Sequence, residues 1–102
     1  MLKLPILHRP PDLPNNKPIV GYVGAVYPWF DFNLLNYLCQ ELPYLNFVVI
    51  GKAHPAVKYE IEKLKAHQNF HFLGYRDYRT TPKYLHNFSV AIIPFKGNIL
   101  TE

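Results

Sequence analysis

Four short apolar runs, separated by stretches with helical spacing, constrain this chain more than any other feature. The first run, 19–26 (IVGYVGAV), is almost continuously apolar and bounded by turn residues, as a strand buried on both faces requires. The second (47–50, FVVI) is stopped by Gly51, the third (70–73, FHFL) by Gly74, and the fourth spans 90–95 (VAIIPF). Between the first two, Phe30, Leu34, Leu35, Leu38 and Leu42 fall at helical spacing, and Pro43 ends the helix. Pro55 opens a second helix with Val57, Ile61 and Leu64 on one face and the pairs Glu60–Lys63 and Glu62–Lys65 on the solvated side. Thr81 followed by Pro82 predicts an N-cap and first-turn proline for a short third helix through Tyr84, Leu85 and Phe88. Strands alternating with amphipathic helices favour right-handed crossovers and a parallel sheet covered on both faces. The expected fold is therefore α/β: a Rossmann-like, doubly wound parallel sheet of four strands and three helices, in strand order 3-2-1-4.

Residues 1–18 cannot belong to that sheet. They hold five of the ten prolines, at positions 5, 10, 11, 14 and 18. Proline fixes φ, removes a donor and restricts its predecessor. This stretch is expected to be a proline-rich linker or an extended arm, and residues 19–102 the domain. A chain of 102 residues holds one domain. The single cysteine, Cys39, excludes an internal disulfide, favours a reducing compartment and is expected to pack as a small hydrophobe. No run approaches the roughly 18 apolar residues of a membrane span, and the first seven residues are too short and interrupted for a secretory signal, so a cytoplasmic address is expected. A net charge of +4 favours anionic ligands mildly, without the clustered basic stripe that nucleic acid needs.

In open parallel sheets, ligands bind outside the carboxyl ends of the strands, at the switch point of strand order. The loops there read Tyr27-Pro28-Trp29-Phe30-Asp31, Lys52-Ala53-His54, Tyr75-Arg76-Asp77 and Lys96-Gly97-Asn98. Three of the four carry a cation next to the strand end, opposed only by Asp31 and Asp77. Together with Gly24, which would let a ligand approach the backbone, they could form a diphosphate rim; equally, they could be the lysines and arginines that loops commonly carry. Gly21-x-x-Gly24 is not the dinucleotide fingerprint, and Gly51-Lys52 stands where an NAD site would place an acid. The five histidines lack metal-ligand spacing, and His71 is expected to be a packed or interfacial strand residue. There is no nucleophile elbow and no pair of carboxylates placed for acid–base work.

The run 17–26, followed by Trp29-Phe30-Asp31 and a Leu-Leu helix, resembles the start of the donor domain in bacterial GT-B glycosyltransferases of group 1, of the teichuronic acid and exopolysaccharide type. The segments 47–51, 69–76, 84–85 and 90–96 agree, so the resemblance covers residues 17–102. It implies a nucleotide-sugar donor, usually UDP-linked, and no cofactor or metal ion. It also implies a glycan or lipid-linked acceptor held by another domain, no nucleic-acid partner, and peripheral membrane association of the full parent. On this resemblance the strand-one loop at Gly24 approaches the diphosphate, Lys52 belongs to the cationic rim, and Tyr75 and Arg76 lie against the base. Asn98 stands where the family carries a glutamate that contacts the donor sugar, and the family's ribose-binding glutamate would fall beyond Glu102. The chain is thus expected to be the first half of a donor domain, inactive alone, with no catalytic residue that can be named. The rival expectation is a non-catalytic nucleotide-binding or interaction domain.

Overall fold

Val48 is wholly buried, and every residue of its strand is buried with it, which places that strand in the middle of the sheet with both faces covered. The computed structural model describes residues 9–96. The elements are β1 (Ile19–Val23), α1 (Phe32–Glu41), β2 (Asn46–Ile50), α2 (Lys58–Leu64), β3 (Phe70–Gly74), α3 (Thr81–His86) and β4 (Val90–Ala91), with 3-10 turns at Pro55–Val57 and Tyr78–Thr80 leading into α2 and α3. The four strands pair in parallel and the order is β3-β2-β1-β4, as the sequence predicts.

Because strand side chains alternate between faces, β2 divides the core. Phe47 and Val49 join Phe32, Leu35 and Cys39 of α1 and Ile61 and Leu64 of α2 on one side; Val48 and Ile50 join Ile19, Tyr84 of α3 and Leu13 on the other. Cys39 packs as expected, and desolvation pushes its thiol up to about 11. Buried Asn69, just before β3, donates to the carbonyls of Cys39, Leu42 and Leu45 at 3.1–3.2 Å, tying β3 to the end of α1 and the turn that follows it.

Three boundaries differ from expectation, each for a local reason. First, α1 begins at Phe32, after Phe30, because the Asp31 carboxylate accepts from the Leu34 amide at 3.0 Å and takes the N-cap. Phe32 then turns inward, Leu34 is exposed, and Phe30 is buried ahead of the helix. Second, Thr81 is not a cap. The start signal lies earlier, at Asp77, whose carboxylate accepts from the Arg79 amide (2.8 Å) and whose carbonyl accepts from the Thr80 hydroxyl (2.7 Å). Third, β4 stops at Ala91. Pro94 has no amide to continue a ladder, and the chain turns so that Phe95 bridges antiparallel to Phe30 while the Asp31 amide donates to the Pro94 carbonyl at 2.6 Å.

Residues 9–18 contain no strand or helix and lie against the domain as an extended arm. Leu13 enters the core, Lys17 Nζ donates to the Pro43 carbonyl (2.8 Å), and Asn46 donates to Asn16 (2.9 Å). Asp12 pairs with Arg76 at 2.7 Å and accepts from the Tyr84 hydroxyl. Burial works to raise the Asp12 pKa, but the hydrogen bonds from Arg76 and Tyr84 prevail and hold it below the ordinary aspartate value.

Candidate functional site

At the carboxyl edge of the sheet, three neighbouring strands end in glycine, and these glycines touch. The Gly24 amide donates to the Ile50 carbonyl (2.9 Å), and the Gly51 amide to the Gly74 carbonyl (2.8 Å). A Cβ on Gly51 would sit 1.7 Å from the Gly24 carbonyl oxygen, and one on Gly24 would meet the Tyr22 hydroxyl at 2.7 Å. At Gly51 the absence of a side chain is thus demanded first by the packing of β1 against β2. The bare backbone edge that results is also what a bulky anion needs for close approach.

Above this edge opens a cavity of about 290 Å3 whose walls include Gly24, Lys52, Tyr75 and Arg76. Four of the five binding residues expected from the sequence therefore share one site; the fifth, Asn98, lies outside the described residues. The volume is near the small end of the roughly 300–1,000 Å3 range of ligand pockets, enough for part of a nucleotide and too small for a whole nucleotide sugar. Among the described residues, no carboxylate lines it. Tyr78 and Thr81 complete the wall; sequence reasoning missed them because the 3-10 turn that brings Tyr78 over the rim depends on the Asp77 cap. The third rim cation, Lys96, is placed elsewhere, in a separate cavity of about 260 Å3 with Pro28, Asn33 and Glu60.

The two cations of the main site are not equivalent. The Arg76 guanidinium donates to the carbonyls of Leu73 (2.6 Å) and Tyr75 (2.9 Å), to the Tyr84 hydroxyl (3.1 Å) and to Asp12 (2.7 Å). The Asp12 and Tyr84 hydrogen bonds raise its pKa further. It is a brace between the β3 loop, α3 and the arm, and its charge is matched by Asp12. Lys52 is exposed and forms no salt bridge among the described residues, so the positive charge left for a ligand is concentrated there. Tyr75 and Tyr78 are largely exposed rings beside it. Two histidines take structural roles: His54 Nδ1 accepts from the Ala56 amide (2.9 Å) to cap a turn, and half-buried His71 contacts Asn46 at 3.1 Å. Among the described residues, no group of three or more His, Cys, Asp or Glu side chains gathers to hold a metal ion, and no helix is long and apolar enough to cross a membrane.

A doubly wound parallel sheet with an open, glycine-lined edge at its carboxyl end defines a Rossmann-like unit. The sequence matches the family described as glycosyl transferases group 1 over residues 5–96, and the chain belongs to that family. Its fold is that of the GT-B glycosyltransferases. It is similar to Anabaena HepE (Alr3699), crystallised in complex with UDP and glucose, with a TM-score of 0.60 and 20% identity over 74% of this chain and 22% of that one. This chain thus spans less than a quarter of the HepE chain's length. A search of curated proteins found no match.

Proposed function

We propose that this chain supplies the nucleotide-binding part of a glycosyltransferase donor site. The donor is a UDP-linked sugar, and the acceptor, held by another domain, is a polysaccharide or lipid-linked glycan of the teichuronic acid or exopolysaccharide kind. The observation that carries the reading is the convergence of Gly24, Lys52, Tyr75 and Arg76 on one cavity at the switch point of a family-matched sheet. The Gly24–Gly51 edge admits the diphosphate to the backbone, Tyr75 offers a ring to the base, and Arg76 braces the loop that carries Tyr75. Asn98, which lies outside the described residues, is a further candidate for donor binding, standing where the family carries a glutamate.

In sugar transfer, an acceptor hydroxyl oxygen bonds to the anomeric carbon while the bond from that carbon to the diphosphate oxygen breaks. The bonding pair leaves with the diphosphate, and the hydroxyl proton passes to a base of the acceptor-holding domain or to the departing diphosphate. The Lys52 ammonium is placed to stabilise that growing negative charge.

That HepE was crystallised with UDP and glucose makes UDP and UDP-glucose the first ligands to try. Thermal melting of the chain with UDP, GDP, ADP and NADP should show a rise with UDP that Lys52→Ala removes. A rise with NADP alone, or with none of the four, would sink the reading.

A further inference from the structure

Beyond the cavity, the loops leaving β1 and β2 run on together as an extended ribbon: the Val26 amide donates to the Lys52 carbonyl (3.0 Å) and the His54 amide to the Val26 carbonyl (2.9 Å). The base of the ribbon carries Gly24 and Lys52. Its tip gathers rings. Tyr27 and Trp29 stack with centroids 4.7 Å apart and planes 25° from parallel, His54 lies 5.2 Å from Tyr27, and Trp29 and Phe95 make a T-shaped contact with centroids 6.4 Å apart.

The core does not account for this arrangement. Phe30, the next residue, is 1% exposed, whereas Trp29 remains 47% exposed although it is held by aromatic neighbours. Polar groups stand close by. The Lys96 amide donates to the Trp29 carbonyl (2.6 Å), and the cavity beside it is lined by Pro28, Asn33, Glu60 and Lys96, supplying amide, carboxylate and ammonium groups.

An aromatic face carries negative charge density and attracts positively polarised groups. The axial C–H bonds of a pyranose ring are such groups, and its rim hydroxyls call for amide, carboxylate and ammonium partners. A nucleobase would also stack, but the donor reading already gives the base Tyr75, across the rim from this ribbon. We infer that Trp29, backed by Tyr27, is a platform for the apolar face of a pyranose ring, next to the nucleotide cavity. The inference rests on the donor-site reading for its position, but its test can fail separately.

Trp29 is the only tryptophan in the chain, so its fluorescence reports this position alone. The full chain is titrated with UDP, UDP-glucose and methyl glucoside, following both tryptophan emission and calorimetric affinity. The expected result is an emission change with UDP-glucose but not with UDP, and UDP-glucose binding roughly five-fold tighter than UDP, the scale of one aromatic contact. Trp29→Ala should abolish that preference while leaving UDP affinity unchanged, and Trp29→Phe should keep most of it; melting curves verify that each variant is folded. An emission change with methyl glucoside as well would show that the platform takes a sugar without its nucleotide. If UDP binds but no sugar alters emission and Trp29→Ala keeps the wild-type preference, the platform is wrong and the donor reading stands. If methyl glucoside alters emission while neither UDP nor UDP-glucose binds, the donor reading is wrong and the platform stands. If none of the three binds, both fall.

Discussion

The two faces of this sheet are built differently. On the α1–α2 face, Phe30, Phe32, Phe47 and Phe70 interlock with Leu35, Ile61 and Leu64, all of them buried and none needing a polar partner. On the α3 face, only Leu13, Ile19, Val48, Ile50 and Tyr84 are buried together, and a polar knot of Asp12, Arg76 and Tyr84 ties the cluster off. The first face draws its stability from apolar volume, the second from a few hydrogen bonds that also fix the wall of the candidate site. Substitutions on the first should therefore change stability alone, and those on the second should change stability and site geometry together.

The sharpest way to break the comparison is Phe47→Ala. Removing a wholly buried ring from the middle of the sheet should cost about 3–5 kcal/mol in chemical denaturation. At the β4 edge Ile93 is 66% exposed, and Ile93→Ala should stay within about 0.5 kcal/mol. Equal losses from the two substitutions would mean that buried apolar volume does not set the stability of the α1–α2 face as described.

Next in size is Asp12→Ala. The ion pair leaves about a third of each side chain in solvent (32% and 33%), so its charge attraction alone is worth little. Adding the hydrogen bond from Tyr84, the loss should be about 1 kcal/mol. It should also fall as pH is lowered. The folded pKa of Asp12 lies below its unfolded value of about 3.8, so the contribution is present above the unfolded pKa and disappears as pH drops through the folded one. Wild type and Asp12→Ala should accordingly differ in melting temperature at pH 7 and converge towards pH 3. A constant gap would remove the ionised carboxylate from the explanation.

This division also explains what the sequence could reveal. The strand order and the α1–α2 face follow from periodicity alone, because continuous runs such as 47–50 and the Val57–Ile61–Leu64 spacing can be buried in few other ways. The α3 face depends on pairs far apart in the chain: Asp12 and Arg76 are 64 residues apart, Asp12 and Tyr84 72. No local pattern marks them, so neither the docking of residues 9–18 nor the brace on Arg76 can be read from the sequence. The site was legible through position: Gly24, Lys52 and Tyr75 each follow a strand end, and parallel pairing carries strand ends to one edge. The early end of β4 and the shift of α1 turned on single competing residues, Pro94 and Asp31, where a local rule overrode the apolar run.

A smaller effect belongs to His71, on β3. Burial, and then the nearby charge of Lys17, lower its pKa below the ordinary 6.5. Both folded and unfolded chains hold it neutral above that value, whereas below it the unfolded chain takes up a proton first, so stability is lost as pH falls from about 6.5 towards the folded pKa. The melting temperature should decline between pH 7 and pH 5, and His71→Gln, which can keep a bond to Asn46, should flatten that decline. An unchanged slope would assign it to another group.

The smallest expected effect on stability is the most informative about function. Lys52 is exposed, lies at the rim of the cavity and forms no salt bridge among the described residues, so the packing of neither face depends on its charge. Lys52→Ala should move unfolding stability by less than about 0.5 kcal/mol. If the ammonium meets a diphosphate, the same substitution should weaken UDP binding by about 1.5–3 kcal/mol, the range of a hydrogen bond to a charged group, which is roughly ten- to a hundred-fold in affinity. Raising the salt concentration should erode the wild-type advantage, because the interaction is one of charge at an exposed rim. Arg76→Ala supplies the contrast, since it would lower stability and UDP affinity together by releasing the arm and the Tyr75 loop. A Lys52→Ala protein that melts like wild type and binds UDP equally well would leave the cavity without a cation for the diphosphate, and the donor-site reading would then have to rest on the backbone edge at Gly24 and Gly51 alone.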